Sequence, residues 1–303
     1  MSRTSTLRLV TPRDIDILTA LDRCPLTALQ LLKLSRTFQY PFTTERRVRE
    51  RLHILCGCGR VRRSLYATAG HGTQNYYTLL PTGYQLLHGP DATPPTKRYF
   101  APIGFSREPH TRALADFIVH TAVAAHQAGV YFTGYARENT FWLRIGDETL
   151  YPDGAFQLVV GDREFSFFVE LDNSGQRIRS DSTDAESWER KIRLYEAFQD
   201  QCETRFRVLV ITTRSDERLG HILKRASELA KNPNRSLVYG VTLAEYLKQE
   251  NSLADACFQN HRGQRVSLVQ STQSDTRRSR REREHPLHES AVRDPSRREV
   301  AVC

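Results

Sequence analysis

Long apolar runs are missing from this sequence. None approaches the roughly 18–20 residues that a membrane-spanning helix needs, and Met1 to Val10 holds no apolar stretch of the kind that precedes a secretory cleavage site. Cysteine is scarce, with six in 303 residues at 24, 56, 58, 202, 257 and 303, too few and too scattered for a disulfide scaffold. No segment recurs at a fixed period, which excludes solenoids and propellers. These absences predict a cytoplasmic protein in a reducing compartment with no membrane partner. The length allows two domains of roughly 100–200 residues each, with a tail.

What is present is positive charge, unevenly placed. The chain carries 44 Lys and Arg against 35 Asp and Glu, a formal net charge of +9. Residues 1–98 hold 15 basic and 6 acidic side chains, residues 99–260 hold 19 and 23, and residues 261–303 hold 10 and 6. A basic module therefore precedes a mildly acidic one, and a basic tail follows. A basic module attracts polyanions, nucleic acid being the commonest; a merely solvated basic surface is the plainer alternative. The cluster Gly89-Pro90-Asp91-Ala92-Thr93-Pro94-Pro95 reads as a linker. Beyond Asn260, the polar Ser271 to Ser274 and the Arg-rich run Arg277 to Arg283 cannot bury enough apolar surface to offset their ordering entropy. The expected organisation is a first domain over 1–90, a linker over 91–105, a second domain over 106–255 and a disordered tail over 256–303.

The first module reads as three helices and a two-stranded wing. Pro12 suits a first helical turn, and Ile15, Leu18 and Leu21 keep helical spacing up to Arg23. A short helix follows Pro25, with Leu29 and Leu32 facing inward. Thr44 is the expected N-cap of a third helix, with Val48, Leu52 and Leu55 as its buried stripe. Arg60 to Tyr66 and Asn75 to Leu80 read as strands joined through Gly70-His71-Gly72, and a last helix begins at Pro81. That order is a winged helix-turn-helix, whose recognition helix lies in the major groove. Arg46, Arg47 and Arg49 on the third helix, and Arg62 and Arg63 on the wing, are the candidate contacts to double-stranded DNA. Wing contacts to phosphates position the protein without reading sequence. The alternative is a winged helix used for protein contacts.

The second module opens with a helix from His110 to Gln127. Strands follow at Tyr131 to Ala136, Phe141 to Ile145, Leu150 to Val160 and Glu164 to Asp172. Next come a polar loop from Asn173 to Ser182, a helix from Thr183 to Gln201 with a Thr183/Glu186 capping box, a strand from Phe206 to Thr212, a helix from Asp216 to Leu229 and a strand from Leu237 to Thr242. This succession predicts an α/β sandwich with a mixed sheet, so the whole chain is α+β or α/β in class.

Two spacings in this module carry chemistry. A hairpin centred on Gly161-Asp162 pairs Val160 with Arg163, and counting outward sets Asp153 opposite Glu170 on one sheet face. Like charges so placed repel unless something offsets them, and a divalent cation would, because hard cations take carboxylate oxygens. Asp172 falls on the same face. On the following helix, Trp188, Ile192, Tyr195 and Phe198 form an apolar arc, and Lys191 lies inside it. A charge there needs a partner, and the carboxylates on the sheet supply one; a lysine snorkelling at the edge of the stripe is the alternative.

Together these residues resemble the replication-relaxation family, whose members look like PD-(D/E)XK nucleases behind a winged helix. The matching stretches are Tyr151-Pro152-Asp153-Gly154, Phe168-Val169-Glu170-Leu171-Asp172-Asn173, and Lys191 with Tyr195; His110 and Glu138 fall where the family carries a histidine and an early acid. The resemblance spans roughly residues 10–250. It implies a DNA-nicking, relaxase-like endonuclease of plasmid or mobile-element replication, acting with other mobilisation or replication proteins. Asp153 and Glu170 would hold Mg²⁺ or Mn²⁺ to activate a water, Lys191 would stabilise the developing charge, and Glu138 would complete the metal shell or orient the lysine. Glu170-Leu171-Asp172 stands where the wider superfamily carries acid-x-Lys. An inactive DNA-binding regulator or replication accessory protein is therefore the alternative function.

Weaker signals are set aside. His53, Cys56, Cys58 and His71 lack the spacing of a zinc finger. His88 and His110 read on spacing alone as structural or surface residues. Tyr76 and Tyr77 alternate in a strand and read as packing residues rather than nucleophiles.

Overall fold

A computed structural model of the chain describes residues 10–66, 74–94, 96, 98–178, 187–232 and 234–269. The Gly70-His71-Gly72 loop, the Thr183/Glu186 capping box and the tail from residue 270 lie outside the described residues.

The first unit runs α1 (Pro12–Arg23), β1 (Leu26–Thr27), α2 (Ala28–Leu34), α3 (Glu45–Gly57), β2 (Val61–Tyr66), β3 (Gln74–Leu79) and α4 (Pro81–His88). Its three strands lie in the order β1-β3-β2. Thr44 caps α3 by accepting from the Arg47 N–H, and Val48, Leu52 and Leu55 are buried as the spacing predicts. Two inward-facing assignments are corrected. Thr27 and Gln30 form a reciprocal capping box, with the Gln30 N–H on the Thr27 hydroxyl at 3.2 Å and the Thr27 N–H on Gln30 Oε1 at 2.8 Å. That box fixes where α2 begins, and the resulting phase turns Leu31 and Leu34 inward and leaves Leu29 56% exposed, while Leu32, half-buried, packs against the same core as expected. On α1, Ile17 takes the core position and Ile15 faces outward.

The second unit comprises α5 (Glu108–Gln127), β4 (Tyr131–Arg137), β5 (Leu143–Ile145), β6 (Glu148–Leu150), β7 (Gly154–Val160), β8 (Arg163–Asp172), α6 (Trp188–Gln201), β9 (Phe206–Thr212), α7 (Asp216–Leu229), β10 (Val238–Thr242), α8 (Leu243–Tyr246), β11 (Phe258–Asn260) and β12 (Arg265–Val266). Seven strands form one large mixed sheet in the order β12-β11-β10-β9-β8-β7-β4, with β8, β9 and β10 parallel and the other pairs antiparallel. Alternation along the central strands feeds two cores. Val169, Leu209 and Ile211 pack with Phe117 and Ile118 of α5, whereas Phe168, Val208 and Val210 pack with Ile192 of α6 and Ile222 of α7. Strands covered on both faces are near-continuously apolar for this reason.

Several boundaries differ from the sequence reading. The Leu150 to Val160 segment breaks in two, because Glu148–Leu150 pairs with Leu143–Ile145 in a separate hairpin and Pro152 has no N–H to continue a ladder. Ser187 caps α6, so the helix starts at Trp188 rather than Thr183. The proposed tail begins too early. Strands β11 and β12 extend the sheet, and Phe258, Leu268 and Val269 are buried, so the folded chain runs on through residue 269. The 91–105 linker is docked rather than free. Tyr99 is buried and donates its hydroxyl to the Asp22 carbonyl at 2.8 Å, and Arg62 donates to the Phe100 carbonyl at 2.9 Å.

Helix α5 belongs to both halves. Ala113, Leu114, Phe117 and Ile118 enter the core under the large sheet, while Ala115, Val119 and Ala122 complete the core of the first unit. Polar contacts reinforce that seam. Gln30 donates to Asp116 at 2.7 Å, and Lys33 donates to His120 Nδ1 at 3.0 Å while His120 Nε2 faces the Gln249 carbonyl at 3.0 Å. Burial and the neighbouring Lys33 push His120 down to about 4, keeping the ring neutral and able to accept from the lysine.

Candidate active site

Strands β7 and β8 pair in the expected register, from Val160↔Arg163 at the turn to Gly154↔Val169 at the far end. Gly161 adopts φ +57°, a conformation that tight two-residue turns require. The next residues outward are Asp153 and Glu170. Asp153 is pinned to β8 twice, its N–H donating to the Val169 carbonyl at 3.0 Å and its Oδ2 accepting from the Leu171 N–H at 2.8 Å. On its other side, β7 pairs with β4 as far as Gly154↔Arg137, so Asp153 and Glu138 follow the last rung of that ladder too. The site thus forms at the C-terminal end of β8, the end of parallel strands where α/β sheets place ligands.

Two layers are distinguishable. In the floor, Glu170 is 1% exposed and both its oxygens are engaged. Lys191 donates to Oε2 at 2.5 Å, and the Tyr195 hydroxyl donates to Oε1 at 2.7 Å. Burial pushes Glu170 above the usual carboxylate range, with Lys191 opposing the shift. Burial, reinforced by the carboxylate beside it, raises the Tyr195 phenol well above its ordinary value, so it stays a donor. Lys191 is buried and sits inside the apolar arc of α6, as the wheel predicts. Asp172 takes a different set of partners. Its Oδ1 accepts from Trp188 Nε1 at 3.1 Å and from Arg218 at 2.9 Å; its Oδ2 accepts from Arg218 Nε at 3.0 Å and from Thr212 at 3.1 Å. The structure therefore ties Asp172 to α6 and α7; this residue lines the same cavity as Asp153 and Lys191 without joining the donor group of His110, Glu138 and Asp153. Burial raises its pKa, but the bonds from Arg218 and Trp188 outweigh that and hold it below the usual range.

In the mouth, α5 contributes a residue that spacing alone reads as structural or surface. His110 Nε2 lies 3.2 Å from Asp153 Oδ1 and 3.7 Å from Glu138 Oε1. One donor atom from each of His110, Glu138 and Asp153 falls within 4.8 Å of the other two. Nε2 is shielded from solvent yet makes no hydrogen bond among the described residues. Burial pushes Asp153 up, but His110, Lys191 and the Leu171 N–H outweigh it and hold the carboxylate below its ordinary range. Arg107 pairs with Glu138 at the rim. A cavity of about 420 Å³ opens here, lined by Arg107, His110, Glu138, Tyr151, Asp153 and Lys191 among others. Of the metal pair expected from sequence, Asp153 belongs to this donor group, and both oxygens of Glu170 accept hydrogen bonds. Glu170 is committed to Lys191 and Tyr195, and the grouped donor atoms are those of His110, Glu138 and Asp153.

The candidate DNA contacts distribute over the first unit. Arg46 is exposed and pairs with Glu50 at 2.9 Å; Arg47 is exposed; Arg49 pairs with Glu45 at 2.7 Å. Arg49, Arg62 and Arg63 line a groove of about 1070 Å³ between α3 and the β2–β3 strands, whereas Arg46 and Arg47 lie outside its lining. Arg112 of α5 also lines it, a residue that no sequence signal singles out. Tyr76 and Tyr77 are buried and pack as expected, and His88 pairs with Asp22 at 2.9 Å. His53, Cys56 and Cys58 do not gather with other potential ligands among the described residues.

No helix of the described residues is long and apolar enough to cross a membrane. No family model and no curated protein matches the chain. Among solved structures, the restriction endonuclease FokI is similar with a TM-score of 0.26 and 15% identity, over 78% of this chain and 42% of that one. The chain spans about two fifths of the length of that enzyme.

Proposed function

We propose that this chain is a metal-dependent DNA endonuclease that nicks DNA held by its first unit. The carrying observation is the grouping of His110, Glu138 and Asp153 around a shielded imidazole nitrogen that makes no hydrogen bond among the described residues. A nitrogen facing two carboxylates suits a divalent cation, and its inclusion favours Mn²⁺ over Mg²⁺, since imidazole is a poor ligand for magnesium. Such a cation would supply an activated water and offset the charge that grows on a phosphate. The other roles fall to the chain itself. The Leu171 N–H orients Asp153 so that one oxygen stays free for the cluster. Glu170 and the Trp188 ring, whose centroid lies 5.6 Å from Nζ, hold the Lys191 ammonium at the cavity wall, where it would meet a phosphate oxygen. Tyr195 fixes the other oxygen of Glu170 and so fixes the lysine.

On this reading the first unit is a winged helix that binds duplex DNA through α3 and the β2–β3 wing. The second is a PD-(D/E)XK-like domain that draws its lysine from α6 instead of from the strand. A place in plasmid or mobile-element replication rests on the motif resemblance. A second reading, an inactive DNA-binding regulator, is favoured by the internal neutralisation of two carboxylates, Glu138 by Arg107 and Glu170 by Lys191.

Supercoiled plasmid incubated with Mn²⁺ or Mg²⁺, with EDTA as control, separates the two. The wild type is expected to yield open circles. Asp153→Ala should lower that rate by about a hundredfold or more and leave duplex binding unchanged. Equal nicking by Asp153→Ala would remove the site assignment. A wild type that nicks with neither cation would give the regulator reading precedence.

A further inference from the structure

Between Thr111 and Ala125, helix α5 is buried at every position but two: Asp116 is half-buried and bonded to Gln30, and Arg112 is exposed. An arginine on an otherwise enclosed helix needs an account. It makes no hydrogen bond or ion pair among the described residues, so no polar contact of the seam that α5 seals depends on it. Near the N-terminal end of the helix a cation also gains nothing from the helix dipole.

Arg112 lines the groove between α3 and the β2–β3 strands. The groove holds Arg49, Arg62, Arg63, Arg112 and His53 against a single carboxylate, Glu45. Two of those guanidiniums are already spent within the protein, Arg49 on Glu45 and Arg62 on the Phe100 carbonyl. Arg63 is exposed and, like Arg112, has no acceptor among the described residues. The two uncommitted cations therefore come from different halves of the molecule, Arg63 from β2 and Arg112 from α5.

We infer that Arg63 and Arg112 clamp the sugar–phosphate backbone of a duplex laid in this groove. The inference rests on the DNA-binding reading of the first unit and extends the binding surface onto the second. Charge complementarity chooses the occupant: an open, arginine-lined groove with one acidic wall residue suits a polyanion, and regular phosphates match two guanidiniums held on separate rigid elements. The clamp reads no sequence, because phosphate contacts carry none directly.

The test uses the full chain and a fluorescein-labelled 30-base-pair duplex of mixed sequence, followed by anisotropy across a salt series. Arg112→Gln should lower affinity roughly tenfold near 0.1 M salt and reduce the log–log salt slope by about one unit. Arg63→Gln should do the same, and Arg112→Lys should keep the slope. Arg163→Gln removes an equal charge outside the groove and should match the wild type. Melting temperature should be little changed for Arg112→Gln, since the side chain is exposed and makes no hydrogen bond or ion pair among the described residues. Arg112→Gln binding like Arg163→Gln while Arg63→Gln loses affinity would overturn the clamp and leave the winged-helix reading standing. A wild type that binds no duplex at low salt would overturn both.

Discussion

In the floor of the cavity, Glu170 and Asp172 have every carboxylate oxygen bonded to Lys191, Tyr195, Arg218, Trp188 or Thr212. In the mouth, Asp153 gives one oxygen to Leu171 and turns the other toward His110 Nε2, 3.2 Å away, which has no well-aligned hydrogen bond among the described residues. The residue types are the same, yet their completeness is opposite. A buried polar group that is fully satisfied holds its neighbours in place, whereas one left open in a shielded pocket costs stability until a ligand arrives. The difference separates groups that shape the site from groups that would take a ligand.

The largest effect tests the floor. Asp172→Ala leaves Arg218 half-enclosed without its partner and should cost about 3 kcal/mol, a fall in Tm of roughly 6–12 °C. Its pH dependence has a definite sign. A carboxylate held below its ordinary range stabilises the fold above the unfolded value of about 3.9, and that stability is lost as pH falls through the depressed folded value. Urea melts of wild type and Asp172→Asn should therefore converge on acidification; a constant gap would show that Arg218 does not act through the charge of Asp172. A slightly smaller effect tests the mouth. Mn²⁺ at a hundred times its dissociation constant should stabilise the wild type by about 2.7 kcal/mol and should do nothing for Asp153→Ala. Smallest is His110→Gln, expected to weaken Mn²⁺ binding about 10–100-fold by calorimetry, with no loss of metal-free Tm. A His110→Gln protein that melts as early as Asp172→Ala would erase the distinction between mouth and floor.

Local signals were legible where local physics decides. Pro12–Arg23, Phe206–Thr212 and Asp216–Leu229 have the bounds that proline position, apolar runs and spacing predict. The Gly161 turn gave the β7–β8 register, and the misplaced charge in the α6 arc pointed to a partner for Lys191. The other half of the site was hidden by an irregularity. Pairing between β4 and β7 shifts by one between Thr133 and Ala136, beside Gly134 at φ +60°. A bulge of this kind breaks any count carried along the strand, so the adjacency of Glu138 and Asp153 could not be counted out as that of Asp153 and Glu170 was. Spacing alone could not place His110 or Arg218 at the site, for a plainer reason. Both meet their carboxylates only through tertiary packing, across 43 and 46 positions of chain.

Because one helix supplies apolar side chains to two cores, the chain has no place where it can be parted cheaply. A fragment ending near residue 90 would lose Ala115, Val119, Ala122 and Tyr99 from the core they complete and open that interior to water. A fragment starting near residue 106 would carry the same helix with one face stripped. The two halves should accordingly unfold in one cooperative transition, and recombination that exchanged the front half for another would have to bring a matching helix face with it.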